Sequence, residues 1–97
     1  MVPEPAPAPR PWTFLTNHGH VLLAISDDPE IRLRDIADRV GITERATQLI
    51  VADLERDGYL RKERVGRRNH YTVVRGMRFR HPAESQQSVD ALLAIFG

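Results

Sequence analysis

Residues 41–71 read GITERATQLIVADLERDGYLRKERVGRRNHY, and the pattern within them decides the fold class. Their first half predicts a helix over about 44–57, because residues suited to burial recur at the i, i+3, i+4, i+7 spacing of one helical face. These residues are Thr47, Ile50, Val51 and Leu54. Thr43 is the expected N-cap of this helix, and Gly58 is expected to end it.

The second half of this stretch predicts a β-hairpin. Two β-compatible runs, residues 59–65 and 70–74, flank the segment Gly66-Arg67-Arg68-Asn69. Glycine and asparagine are typical of the turn that joins two antiparallel strands. The two arginines make the tip of this hairpin basic.

Two further helices are predicted before this stretch. Apolar residues at helical spacing indicate the first over about 16–26, with Thr16 or Thr13 as its cap, and the second over 33–40. Gly41 follows the second helix, at a position where a left-handed residue commonly ends a helix.

Two local features are predicted around the second of these helices. Residues 31–33 alternate in polarity and are short, which favours a brief strand. Asp35 and Arg39 have the i, i+4 spacing of a helical ion pair.

The two ends of the chain differ from its central part. Residues 1–11 hold five of the seven prolines in alternation, which blocks helix and strand hydrogen bonding and predicts an extended Pro-rich tail. A last helix is predicted over about 83–96. We therefore expect a tail at 1–11, a domain at 12–75, and a linker with a C-terminal helix at 76–97.

The order helix, short strand, helix, tight turn, helix and hairpin is that of a winged helix-turn-helix, a mainly α fold with a small β-hairpin (α+β). Ala37 is small enough to let the two central helices cross closely, and Gly41 permits the bend between them. Thr47 stands where Val or Ile is usual. We expect its hydroxyl to bond to a carbonyl one turn earlier.

Residues 41–71 resemble the recognition helix and wing of bacterial winged-helix regulators of the MarR/ArsR superfamily, and the resemblance covers about residues 14–75. It implies a DNA-binding transcriptional regulator, most simply a dimeric repressor in the cytoplasm, at the nucleoid. The chain departs from the family in two ways. It lacks the cysteines of metal-sensing ArsR proteins, and it is shorter at both ends than MarR proteins, whose terminal helices dimerise and shape a ligand pocket.

The recognition helix (44–57) is expected to enter the major groove of double-stranded DNA. Gln48 is suited to adenine, Arg45 to guanine or a phosphate, and Ala46 to a thymine methyl. Leu49 is an apolar residue on the outward stripe. It is equally suited to a thymine methyl and to covering the wing or a neighbouring loop.

The wing, which is the hairpin at 59–74, is expected to place Arg67 and Arg68 in the adjacent minor groove. Asn69 either contacts the DNA backbone or completes the turn, and Arg34 either binds a phosphate or forms an intramolecular ion pair. The complete set of expected DNA contacts is Arg34, Thr43, Glu44, Arg45, Ala46, Gln48, Leu49, Arg64, Arg67, Arg68 and Asn69.

The charge distribution supports this placement. The net charge of +1 conceals a segment, residues 61–80, with eight basic residues and one acidic residue, so that this segment carries +7 and the rest of the chain −6. Such segregation is expected of a surface that binds phosphates.

The last helix is expected to pair with the first helix of a second copy, which would make a homodimer. The alternative is that it folds onto its own core. The residues expected at the dimer interface are Trp12, Phe14, Leu15, Val89, Leu92, Leu93 and Phe96.

Composition and spacing exclude several other classes. Without cysteine the chain has no disulfide, thiolate metal site or thiol nucleophile. Its longest apolar run, residues 91–96, has six residues, far short of about 20 for a bilayer span, so we expect no membrane association. His18 is expected to be a partly buried helix residue, and Asp53 and Asp57 a solvated face, so no metal site, cofactor or enzyme activity is predicted. A protein-interaction module and a ligand-sensing regulator, with an unknown effector, remain as alternative functions.

Overall fold

The computed structural model describes residues 12–97 and shows the expected winged helix-turn-helix. The Pro-rich tail expected at residues 1–11 lies outside the described residues. The elements follow one another as α1 (Asn17–Asp27), α2 (Leu33–Val40), α3 (Glu44–Arg56), β1 (Leu60–Val65), β2 (Arg68–Val73) and α4 (Val89–Phe96). The first helix occupies the centre, because α1 packs against α2, α3, β2 and α4.

The caps of α1 and α3 are the threonines that the sequence indicates. The Thr16 hydroxyl accepts a hydrogen bond from the Gly19 N–H at 3.3 Å, and the Thr43 hydroxyl accepts one from the Ala46 N–H at 3.0 Å. Each satisfies a backbone donor that the first helical turn leaves free. Thr13, the other candidate cap of α1, instead donates its hydroxyl to the Leu15 carbonyl.

The turn between α2 and α3 depends on a glycine. Gly41 has φ of 85°, a left-handed conformation that ends α2 and reverses the chain direction. Beyond this turn Thr47 is fully buried, and its hydroxyl donates to the Thr43 carbonyl at 2.9 Å. The expected back-bond is therefore present, and no hydroxyl is left unsatisfied in the core.

The core lies between the inner faces of the helices and the base of the hairpin. Ile25 and Ile36 are fully buried at its centre. Burial of one such side chain stabilises the fold by about 1.5–3 kcal/mol. Leu60 and Tyr71 close the core from the hairpin. The remaining members come from α1, α3, α4 and the segments just before α2 and β1: Val21, Leu22, Ala24, Ile31, Ile50, Val51, Leu54, Tyr59, Val89 and Leu93.

The hairpin turn is shorter than predicted. Val65 pairs with Arg68, so the loop consists of Gly66 and Arg67 alone, and Asn69 belongs to β2. Gly66 has φ of 61°, and no described non-glycine residue has a positive φ, which is the pattern of a type II′ turn. This turn matches the twist of the strands, whereas the expected four-residue turn would have shortened the ladder.

Three other local predictions are wrong. Residues 31–33 form no strand, because Leu33 already begins α2. The backbone contact between the hairpin and this part of the chain is a hydrogen bond from the Tyr71 N–H to the Pro29 carbonyl. The last helix begins at Val89 rather than at 83, since residues 82–86 form turns. Arg39 binds Asp27 across two helices at 2.8 Å instead of pairing with Asp35.

Candidate nucleic-acid interface

A groove runs between the N-terminal ends of α2 and α3 and the wing. It has a volume of about 420 Å³. Arginines dominate its walls, two from the start of α2 and two from the wing. Its lining comprises Glu30, Ile31, Arg32, Leu33, Arg34, Glu44, Arg67, Arg68, Asn69 and Tyr71. The fold thus brings together five of the residues expected to contact DNA, from three separate parts of the chain.

The four groove arginines (Arg32, Arg34, Arg67 and Arg68) are available to a ligand. All are exposed, and within residues 12–97 none forms an ion pair. An intramolecular partner for Arg34, one of the two expected alternatives, is therefore absent from the described part of the chain. Arg32 was missed by sequence reasoning, although its position beside Arg34 at the start of a helix was a usable signal.

The outward face of α3 is polar with one apolar exception. Arg45 and Gln48 are exposed, and Leu49 is 56% exposed. Ala46 is half-buried. The opposite face of α3 is buried in the core, so the outward stripe is the part of the helix that a ligand can contact.

The basic segment 61–80 does not act as one surface, which corrects the charge argument. Arg80 binds Asp57 at 2.8 Å, and Arg78 donates to main-chain carbonyls in the turns that precede α4. Both lie near the C-terminal end of α3, about 20 Å from its start given a rise of 1.5 Å per residue. Arg64 braces the wing turn, since its Nε donates to the Gly66 carbonyl at 3.3 Å. The basic surface is therefore the groove and the wing tip.

Comparison with known proteins agrees with this geometry. Residues 15–61 match the family model described as winged helix-turn-helix DNA-binding. The matched segment is just under half of the chain and spans α1 to the start of β1. Among curated proteins, none matches the chain in sequence.

Several solved structures share this fold. The PcaV transcriptional regulator from Streptomyces coelicolor is 28% identical over 62% of this chain and 45% of its own, with a TM-score of 0.54. MepR, a transcription regulator of the Staphylococcus aureus efflux pump MepA, is 19% identical over 82% and 56%, with a TM-score of 0.57. The Mycobacterium tuberculosis MarR family protein Rv2887 is 21% identical over 84% and 60%, with a TM-score of 0.54. The chain spans only about half the length of these proteins.

A charged cluster holds the far end of the recognition helix. His18 Nε2 lies 2.8 Å from Asp53 Oδ2, Arg56 contacts both Asp53 and Asp57, and Arg80 binds Asp57. The His18 hydrogen bond lowers the pKa of Asp53, and the Arg56 hydrogen bond lowers the pKa of Asp57. His18 is thus an exposed partner of α3 rather than a partly buried residue. The two aspartates are likewise ion-pair partners rather than a merely solvated face.

The residues expected at a dimer interface divide into two groups. Val89 and Leu93 are buried in the core of the same chain, so they are not free to meet a partner. Trp12 and Phe14 are exposed by 67% and 93% and stack edge to face at 5.2 Å. Phe96 is also exposed, as is Ile95, which was not in the predicted set.

An apolar cavity of about 590 Å³ lies beside the charged cluster at the end of α3. Leu15 and Leu92, the remaining members of the expected dimer set, are half-buried against it. Arg80 and His81 are among the residues that line it. Its lining comprises Phe14, Leu15, Thr16, His18, Gly19, Leu22, Asp53, Leu54, Asp57, Tyr59, Phe79, Arg80, His81, Glu84, Val89 and Leu92.

Two other features are absent from residues 12–97. No three histidine or acidic side chains converge there as a metal site would require. In the same range, none of the helices has the length and apolar character needed to span a bilayer.

Proposed function

We propose that this protein is a sequence-specific transcriptional regulator that binds double-stranded DNA as a homodimer and represses by occluding a promoter. The arginine-lined groove between the recognition helix and the wing carries this proposal. Its four unpaired guanidinium groups face a channel bounded by the two elements that winged-helix proteins use on DNA. A cytoplasmic, nucleoid-associated location and the absence of catalytic activity follow from this role.

The recognition helix would supply the base contacts. With α3 in the major groove, its first turns meet base edges. Gln48 would bind adenine in a bidentate manner, and Arg45 would bind guanine or a phosphate. Leu49 has no protein neighbour that covers it fully, and a thymine methyl would bury its exposed surface.

The wing would supply the second contact. Arg67 is one of the two residues of the turn at the hairpin tip. Its side chain would enter a minor groove, where the potential is most negative. Arg68, Arg34 and Arg32 line the groove behind it. These three would neutralise the phosphates of the strand that passes between the recognition helix and the wing.

The homodimer is supported by exposed apolar groups at both ends of the described chain. Four large side chains (Trp12, Phe14, Ile95 and Phe96) are more than half exposed, which is unfavourable unless a partner covers them. With residues 76–97 as the pairing element, two domains would read half-sites about 34 Å apart. Phe14→Ala/Phe96→Ala should convert a dimer to a monomer in sedimentation equilibrium. An unchanged mass would argue against this surface.

The direct test is a titration of labelled genomic fragments at two salt concentrations. The proposal expects a subset of fragments to bind well above the non-specific level, with weaker binding at higher salt. Uniform weak binding to all fragments would refute sequence specificity. Capture of a protein partner together with no salt-dependent DNA binding would favour an interaction module instead.

A second candidate function is effector sensing, and the apolar cavity favours it. Its volume falls in the range of small-molecule sites, and its lining is largely apolar. Arg80 and His81 in its wall contact Asp57 and Glu84, so the carboxylate of an aromatic acid would have to replace one of these contacts. PcaV was solved with its natural ligand and Rv2887 with salicylic acid. Salicylate at 100 times its Kd should stabilise the protein by about 2.7 kcal/mol, which raises Tm by roughly 10–20 °C. An unchanged Tm with salicylate, and with benzoate, would oppose this function.

A further inference from the structure

The groove that attracts phosphates also contains a carboxylate without a partner. Glu44 is the first residue of α3, is exposed, and lines the groove with Arg34, Arg67 and Arg68. None of these arginines lies within ion-pairing distance of it, and no other ion pair of Glu44 is present in residues 12–97. The other groove carboxylate, Glu30, differs because His70 Nδ1 lies 3.9 Å away.

Local helix chemistry does not use this side chain as a cap. Thr43 already caps α3 through its hydroxyl, which bonds to the Ala46 N–H. A reciprocal carboxylate in a capping box would stand three residues after the cap, where the chain has Ala46. The Glu44 carboxylate is therefore left free at the start of the recognition helix, facing the volume that DNA would occupy.

The chemistry of a carboxylate restricts what it can face on DNA. An ionised carboxylate only accepts hydrogen bonds, and it is repelled by phosphates and by base edges that present only acceptors. In the major groove guanine presents O6 and N7, and thymine presents O4, which are all acceptors. The donors there are the amino groups of cytosine and adenine. Adenine also presents N7 beside its amino group, whereas cytosine presents no acceptor of its own on that edge.

We propose that Glu44 is a specificity-determining residue that selects cytosine at one position of each half-site, by accepting a hydrogen bond from the N4 amino group. It excludes guanine and thymine through repulsion between acceptors, so part of its effect is rejection of wrong sequences. This role rests on the proposed function, since it requires α3 to lie in a major groove. Glu44 weakens non-specific binding at the same time, because its charge opposes that of the phosphates.

The test is selection of bound duplexes from a random-sequence library by the wild-type protein, Glu44→Gln and Glu44→Ala. The wild type should enrich cytosine at one position per half-site by about five- to 150-fold over the other bases. In Glu44→Ala this preference should fall below about twofold. In Glu44→Gln adenine should be accepted beside cytosine, because the amide group both donates and accepts hydrogen bonds. The other positions of the motif should remain, and affinity for random duplex should be equal to or higher than that of the wild type.

Glu84→Gln is the matched control. It removes the same charge from an exposed residue beside the C-terminal end of α3, at the far side of the domain from the groove. Its selected motif should be that of the wild type. A loss of cytosine preference in Glu84→Gln would overturn the assignment, since net charge alone would then explain the effect.

The outcomes separate this inference from the function on which it rests. A wild-type protein that selects no motif refutes the proposed function and the inference together. A clear wild-type motif that Glu44→Ala reproduces unchanged, cytosine included, refutes the inference alone. Thermal unfolding of each variant completes the test. A lowered Tm with an unchanged motif would mean that Glu44 serves only the helix dipole, and this would also overturn the proposal.

Discussion

Replacing Arg67 and Arg68 with alanine removes two of the four arginines that line the groove of each domain. Each phosphate that a basic side chain neutralises contributes about 0.9 to the slope of log affinity against log salt concentration. The groove arginines therefore account for a slope of about 3.6 per domain, or about 7 for a dimer. The double variant should lower the dimer slope to about 3.6, because half of these contacts are gone.

The change in slope has a large consequence for affinity. Between 50 and 200 mM salt, a slope of about 7 weakens binding by roughly 10⁴-fold, whereas a slope of about 3.6 weakens it by roughly 150-fold. Fluorescence anisotropy with a labelled duplex, measured at four or more salt concentrations, resolves this difference. Non-specific duplex should show the same loss of slope as a selected fragment, since phosphate contacts carry no sequence information.

Arg56→Ala/Arg80→Ala is the control with the same change in charge. Both side chains are well exposed, pair with aspartates at the C-terminal end of α3, and lie far from the groove. Exposed ion pairs of this kind contribute about 0–1 kcal/mol to stability, so the variant should fold. Its salt slope should match that of the wild type. Equal losses of slope in the two double variants would refute the assignment of the groove as the phosphate-binding surface.

Four further predictions concern base reading, the core and pH. Gln48→Ala should cost about 1–3 kcal/mol of discrimination at one or two base pairs, with little change in salt slope, as measured by competition with single-base variants of a selected duplex. Ile36→Ala should lower the free energy of unfolding in urea by about 2–5 kcal/mol, because the side chain is fully buried and leaves a cavity; a loss below about 1 kcal/mol would contradict the packing described. Thr47→Val should be neutral or stabilising by about 1 kcal/mol, since the Thr43 carbonyl keeps its bond from the Thr47 N–H after the hydroxyl is gone. Asp53→Asn should reduce the loss of stability in acid. The His18 hydrogen bond lowers the pKa of Asp53 from its ordinary value of 3.8, so the ionised carboxylate stabilises the folded state above that pH, and this stabilisation is lost as pH falls through the lower folded pKa. Urea unfolding between pH 2.5 and 6 should therefore show a shallower decline in the free energy of unfolding for the variant than for the wild type.

The helix-turn-helix itself could be predicted closely from the sequence because its signals are local. The bounds of α2, the left-handed Gly41 and the Thr43 cap all depend on residues within one helical turn of each other. The buried stripe of α3 was confirmed for the same reason, since helical periodicity alone determines which of its residues face inward.

The remaining features depend on contacts between distant parts of the chain. The start of α4 was placed too early because Arg78 binds the main-chain carbonyls of Ser85 and Gln86 and so holds them in a turn. The basic segment was read as one surface because nothing local indicates that Arg80 reaches Asp57. The predicted set of groove residues lacks Arg32, because Arg32 joins the groove only when the wing folds back over the start of α2.

The separation of the two faces of α3 has a consequence for how such a protein diversifies. Its inner face is fixed by the core, whereas Arg45, Gln48 and Leu49 on its outer face are exposed. Under the proposed function, substitutions at these three positions would change the preferred DNA site with little effect on folding, within about 0.5 kcal/mol for each surface residue. Mutations confined to the outer face of α3 would therefore let related proteins bind new DNA sites. A designer would change the same three residues and leave the core unchanged.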